Sequence, residues 1–264
     1  MLQQWRKPHT LVISPEGALL DSNGNVERLV DMQSAASINP ASWSQVLNEL
    51  DKISVRRITK PIRFVVANQY VRYAMLPWQA DIYSQQDWQS LAENHMRLLH
   101  GNVVDTWKVS IAMQGYGNPL IISAIDDVLL IQLHELAAEK KWIIDTIEPA
   151  VVSIVNHYHN ALIGEAWLMV IEPKRATLVE MYNNIITRFT VACPPESQEQ
   201  TEAVKLVKRA LKSKNKENSV RVFTLGESAL VADFKDPEIK VSSLSLSKNT
   251  DKTASIGEML AGLL

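Results

Sequence analysis

Residues 167–192 read WLMVIEPKRATLVEMYNNIITRFTVA, and the punctuation of this stretch decides the fold. Trp167-Leu168-Met169-Val170-Ile171 predicts a strand, Glu172-Pro173-Lys174-Arg175 a turn, Ala176 to Tyr182 a second strand, Asn183-Asn184 a tight turn, and Ile185 to Ala192 a third strand. After the Pro194-Pro195 break, Ala203, Val204, Val207, Ala210 and Leu211 form one helical stripe. The helix ends among Lys212, Lys214 and Lys216, where cations suit its dipole. Val220 to Leu225 then returns as a strand. The order is meander, helix, strand.

The same order stands earlier in the chain. Leu11-Val12-Ile13 and Ala18-Leu19-Leu20 are short strands around the turn Ser14-Pro15-Glu16-Gly17, and Asp21-Ser22-Asn23-Gly24 has hairpin chemistry. Trp43, Val46, Leu47 and Leu50 mark an amphipathic helix over 42–53 with Ser42 as its N-cap, and Ile62 to Ala67 is a strand. Between the copies lies a different unit. Leu91 to Leu99 reads as a helix, Trp107 to Met113 and Leu120 to Ala124 as strands, Val128 to Lys141 as a long helix, and Ile143 to Ile147 as a strand. With Tyr70 to Leu76 as a partner strand, this α-β-β-α-β order predicts a ferredoxin-like α+β insertion. Ala150 to Ile163 is expected to be a linking helix.

Composition narrows the function. The 264 residues include 9 Gly, where average usage would give roughly 18, and phosphate-cradling loops need glycine for positive φ and close backbone approach. With 46% hydrophobic and 21% charged residues the chain can bury a substantial core. The 27 Lys and Arg against 29 Asp and Glu give a net charge of -2, which provides no field for nucleic acid. Cys193 is the sole cysteine, Met1 to Lys7 has no apolar signal, and no window is long and apolar enough to span a membrane, so a cytoplasmic location is expected.

Catalytic signatures are absent: there is no GxGxxG, GxxxxGK[ST], HExxH, GxSxG or CxxC. Gly115-Tyr116-Gly117 between two strands is a hairpin turn. His157 and His159, two apart on a helix, diverge and do not make a metal pair. Asp126-Asp127 read as the cap and acidic first turn of the helix that follows, and Cys193 has no adjacent His to activate it. Lys205, Lys208, Arg209, Lys212, Lys214 and Lys216 make a solvated basic face, with an acidic partner or anionic lipid as the sharper alternative. Seven tryptophans, at 5, 43, 78, 88, 107, 142 and 167, are expected in cores, with one or two in a partner groove. Ser242 to Thr253 reads as a linker, and Ile256, Met259, Leu260, Leu263 and Leu264 form a stripe on a short helix that needs a groove to dock in.

Duplicated meander-helix-strand lobes with an insertion resemble the actin-like ATPase superfamily, of ribonuclease H-like topology. Within it, Val71-Arg72-Tyr73-Ala74-Met75-Leu76-Pro77-Trp78, the helix with Glu93, Leu120 to Asp126 and Asp145-Thr146-Ile147-Glu148-Pro149 look like the PilM-type pilus-assembly proteins and the GspL-type cytoplasmic domains of type II secretion. The resemblance implies an α/β fold with a first lobe over 1–78, an insertion over 79–149, a shortened second lobe over 150–241 and a tail over 242–264. Active members place an Asp-x-Gly loop at the first turn of each meander and a Gly-Gly pair after the last strand. Here the corresponding residues are Ser14, Glu16 and Gly17, then Glu172 and Lys174, then Gly226 and Glu227, with a proline in each of the first two loops and no aspartate in either. These vestigial loops imply a pseudo-ATPase without ATP, Mg²⁺ or another cofactor.

By the same resemblance, the chain is expected to be a cytoplasmic adaptor peripheral to the inner membrane. It would bind the N-terminal cytoplasmic peptide of a bitopic membrane protein and contact other components of a pilus or secretion platform. The expected groove wall is Val71, Tyr73, Leu76, Trp78, Trp88 and Leu91. Two alternatives stand beside it: a nucleotide switch using Glu16 or Glu172 for metal and Lys174 for phosphate, and a structural subunit that self-associates through Ile256, Met259, Leu260 and Leu263.

Overall fold

The computed structural model describes residues 8–22, 25–32, 42–53, 58, 60–172, 174–195, 198–214, 220–225 and 239–243. The first sheet begins with β1 (His9–Ser14), β2 (Gly17–Asp21) and β3 (Val26–Asp31), which form an antiparallel meander. α1 (Trp43–Lys52) follows and β4 (Ile62–Val66) pairs parallel to β1. The expected capping of α1 is present: the Ser42 hydroxyl accepts from the Gln45 N–H while the Gln45 side chain accepts from the Ser42 N–H.

The insertion is smaller than the sequence pattern suggests. β5 (Val71–Leu76), β6 (Trp107–Ala112) and β7 (Leu120–Asp126) form a three-stranded antiparallel sheet in the order β5-β7-β6, covered by α2 (Gln85–His100). α3 (Asp127–Lys140) packs instead on the first lobe, where Leu129, Leu133, Leu136 and Ala137 join the core under α1. β8 (Ile144–Pro149) pairs parallel to β4 as the fifth strand of the first sheet. The boundary expected at residue 149 therefore moves back to residue 126, and the insertion is a three-stranded sheet with one helix, not a complete ferredoxin-like unit. Ile144 and Ile147 find their apolar partners against the first lobe, which fixes the strand there.

α4 (Ala150–Tyr158), shorter than the helix expected over 150–163, leads to the second lobe. There β9 (Glu165–Glu172), β10 (Arg175–Tyr182) and β11 (Ile185–Ala192) repeat the meander, followed by α5 (Glu199–Lys214), β12 (Val220–Leu225) and β13 (Ile239–Ser243). The two five-stranded sheets have one topology, β3-β2-β1-β4-β8 and β11-β10-β9-β12-β13, each with an antiparallel meander joined to two parallel strands. The second lobe is the shorter one because its β12–β13 connection runs over 226–238, whereas β4 and β8 are separated by the insertion and α3. β13 begins within the second lobe and takes up Ser242 and Ser243, which the sequence assigns to a linker.

The central strands are buried on both faces. Leu11 and Ile13 face α1 and α3, while Val12 faces the core between the lobes. In the second lobe Trp167, Met169 and Ile171 face α5, while Ala166, Leu168 and Val170 face the shared core. α4 lies in that shared core, where Ala150, Val151 and Ile154 cluster with apolar residues of both sheets. Each such fully buried large aliphatic side chain contributes about 1.5–3 kcal/mol. On α5, Lys205, Lys208, Arg209 and Lys212 are exposed, the solvated face expected from the sequence.

Candidate functional site

The loop between β1 and β2 is a tight strand reversal. Gly17 has φ +136°, and a Cβ built on it would lie 2.0 Å from the carbonyl oxygen of Val30. Glycine is needed here so that β3 can pass close to the turn. The Ser14 hydroxyl donates to the Gly17 carbonyl at 3.4 Å, and the Glu16 carbonyl accepts from the Met32 N–H at 3.0 Å. Pro15, buried in the same turn, has no N–H to offer a ligand.

The second loop reaches across to the first lobe. Glu172, at the end of β9, is 1% exposed and its Oε1 accepts from the backbone N–H of Asn68 at 3.1 Å. Asn68 follows β4 and is itself fully buried. Its Oδ1 accepts from the Tyr73 hydroxyl at 2.7 Å and from the Val151 N–H at 3.2 Å, which satisfies a free donor in the first turn of α4. One asparagine thus ties together the first lobe, the insertion, the linking helix and the turn between β9 and β10.

Burial dominates the electrostatics of this node. It pushes the Glu172 carboxyl up to about 7; Arg175 and the hydrogen bonding from Asn68 offset part of the rise, and the Glu16 carboxylate adds to it. The second carboxyl oxygen, Oε2, is buried without a hydrogen-bond partner. Burial likewise raises the Tyr73 hydroxyl and lowers the Arg175 guanidinium, the latter against the opposing pull of Glu172.

An open cleft lies beside the node, between the insertion and the second lobe. Its cavity volume is about 510 Å³; Arg72, Lys174 and Arg175 make its cationic wall, and the ring of His100 lies beside them. Tyr73 and Val191 supply apolar wall, and Cys193 lines the edge. Arg72 donates to the carbonyl oxygens of Gln69 at 3.1 Å and Val71 at 3.4 Å and lies over the Trp107 ring at 6.0 Å. Arg175 donates to the same Val71 carbonyl at 3.2 Å. Below the cleft the insertion is docked on β11 by a stacked Tyr73–Phe189 pair, with centroids 4.9 Å apart, and by Gln114, whose side-chain amide exchanges two hydrogen bonds with the Ile186 backbone at 2.8 and 2.6 Å.

The groove wall expected from the sequence is mostly interior. Val71, Leu76 and Trp88 are 0, 3 and 2% exposed, because alternate β5 residues and the inner face of α2 fill the cores of the insertion and first lobe. These three residues do not line an open groove. Tyr73 is packed against Phe189; Trp78 and Leu91 are half-buried, and Trp78 continues outward onto the exposed Tyr116 at 5.0 Å between centroids. Gly226, Glu227, Ile256, Met259, Leu260 and Leu263 lie outside the described residues. Asp126 caps α3 by accepting from the Val128 N–H at 2.9 Å, Gly115 and Gly117 turn the β6–β7 connection with positive φ, and no His, Cys, Asp and Glu group among the described residues is arranged to hold a metal. Asn68, Gln114 and Arg175 have no motif that marks them; only the long-range packing reveals them.

No family model and no curated protein matches the sequence. Solved structures do match the fold. A Bacteroides thetaiotaomicron protein of unknown function with an actin-like ATPase fold aligns with TM-score 0.63 at 12% identity, covering 97% of this chain and 95% of that one. A chain of a PilM–PilN type IV pilus biogenesis complex gives TM-score 0.58 at 11% identity, covering 90% and 88%. The cytoplasmic domain of EpsL, an inner-membrane component of the Vibrio cholerae type II secretion system, gives 0.54 at 8% identity, covering 96% and 92%. With two lobes of one topology and an insertion after the fourth strand of the first, this chain has the actin-like fold.

Proposed function

We propose that this protein is a non-catalytic, actin-like adaptor of a pilus or secretion-type assembly platform, binding a short cytoplasmic segment of a membrane-anchored partner. The observation that carries the non-catalytic part is the Glu172–Asn68 contact. The turn that would hold phosphate in an active relative holds its own carboxylate against a backbone N–H of the facing lobe. A phosphate there would have to displace a buried carboxyl and find donors in two loops that each carry a proline without an N–H, the first with its serine hydroxyl already turned to the Gly17 carbonyl. The adaptor part is supported by the fold likeness to a chain of the PilM–PilN complex and to the EpsL cytoplasmic domain. Among the described residues no helix is long and apolar enough to cross a membrane, so in this reading the partner supplies the membrane anchor.

The surface left for a partner at the expected wall is the half-buried Trp78 with Leu91 and the exposed Tyr116 and Tyr83 at the outer end of the insertion. Aromatic anchors of this type supply much of the affinity for an extended peptide that must be ordered on binding. The test is affinity capture from detergent-solubilised membranes. Retention of a bitopic protein with a short cytoplasmic segment, reduced by Trp78→Ala or Tyr116→Ala, supports the proposal; failure to retain any such protein counts against it.

A further inference from the structure

The cleft between the insertion and the second lobe has a charge character opposite to that of the whole chain. The protein carries a net charge of -2, yet three cations, Arg72, Lys174 and Arg175, converge on one cavity beside the His100 ring, with no carboxylate among the described residues of its wall. Two of these cations are held against each other: the Arg72 and Arg175 guanidinium groups both donate to the carbonyl oxygen of Val71, at 3.4 and 3.2 Å. A neutral carbonyl cannot neutralise two positive charges, so the two guanidinium groups repel each other across it. Glu172 offsets part of the charge on Arg175, but its Oε1 is committed to the Asn68 N–H. The mutual influence is seen on both neighbours: burial and then Arg72 hold the His100 ring below its ordinary pKa, and Arg72 adds to the lowering of Arg175.

We propose that this cleft binds a small molecule carrying a phosphate or carboxylate group on an apolar or aromatic body, with Arg72, Lys174 and Arg175 holding the oxyanion and Tyr73 and Val191 packing the body. The volume of about 510 Å³ suits a small ligand, and a mostly apolar wall with a few convergent charges is the usual build of such a site. The guanidinium groups are already anchored on backbone carbonyls, so little side-chain entropy is lost when the anion arrives. The site lies on the insertion side of the second loop; none of Ser14, Glu16 or Gly17 lines it, which separates it from a phosphate position shared between the two loops. It is also separate from the Trp78–Tyr116 surface proposed for the partner peptide, so either assignment can fail alone.

Cys193 is both exposed and the sole cysteine, and it lines this cleft, so its alkylation reports occupancy directly. The rate of labelling by neutral N-ethylmaleimide is measured on the full chain with increasing phenyl phosphate, with benzoate, and with potassium chloride at matched ionic strength. Saturable slowing by phenyl phosphate assigns a phosphate site and slowing by benzoate a carboxylate site; chloride should give no comparable effect. Arg72→Gln and Lys174→Gln, both at non-core positions, should each raise the concentration for half-protection about tenfold, as expected for loss of one charge-assisted contact. Circular dichroism confirms that these variants fold. Equal rates with and without both anions, protection matched by chloride, or protection unchanged in both variants would overturn the proposal.

Discussion

The carboxylate of Glu172 accepts a hydrogen bond from the backbone N–H of Asn68 at 3.1 Å, across 104 residues of sequence and from one lobe to the other. Because burial holds this carboxyl near 7, well above its unfolded value, the folded state retains a proton that the unfolded chain releases. The contribution of Glu172 to stability is then fully present below about pH 4.5 and is lost as pH rises through about 7, costing on the order of 3 kcal/mol. Glu172→Gln keeps an acceptor for Asn68 without the ionisation. Urea denaturation at pH 5 and pH 8 should show that the variant lacks this part of the pH dependence and is at least as stable as the parent at pH 8.

Asn68→Ala should be more damaging than any single surface change. It removes the acceptor of the Tyr73 hydroxyl and the Val151 N–H together and leaves a void in a fully buried position. A loss of about 2–4 kcal/mol is expected from two unpaired buried donors and the cavity, read as a shift of the urea midpoint.

Two glycines with positive φ should respond differently to alanine. Gly17→Ala places a methyl group 2.0 Å from the Val30 carbonyl oxygen, so β3 must move away and the loss should exceed about 3 kcal/mol or prevent soluble expression. Gly101 has φ +74° and ψ -157° with nothing within 4 Å of its added Cβ, and Gly101→Ala should cost only the backbone strain of about 1–3 kcal/mol. Thermal denaturation of the pair separates steric from conformational cost.

Gln114 is expected to act as a latch between the insertion and β11. Gln114→Ala breaks both hydrogen bonds to Ile186, so amide exchange at Ile186 should accelerate while β9 and β1 keep their protection. A global stability loss of about 1–2 kcal/mol should accompany it.

The duplicated lobes were legible because their determinants are local: turn residues at Asn183-Asn184, a cap at Ser42, and apolar stripes such as Ala203, Val207 and Ala210 each act within a few neighbours. Destinations were less legible than elements. Ile144 to Pro149 is visible as a strand, but whether it pairs in the insertion or beside β4 depends on surfaces far away in sequence. Val71, Leu76 and Trp88 were readable as apolar positions, and only the packing of β5 and α2 makes them core and not groove. At the site, Glu172 and Lys174 stand out in the sequence as turn residues, whereas Asn68 as the recipient of Glu172 has no local signal at all.

The most direct test of the central claim is calorimetric titration of Mg-ATP into the full chain, with phosphate release followed at high protein concentration. The account predicts no phosphate release above the buffer rate, and any saturable heat should come from the Arg72–Lys174–Arg175 cleft, persist in Glu172→Gln and weaken in Arg72→Gln. Saturable binding with turnover that disappears in Glu172→Ala would contradict it, because the carboxylate held by Asn68 would then be a catalytic group and not a plug.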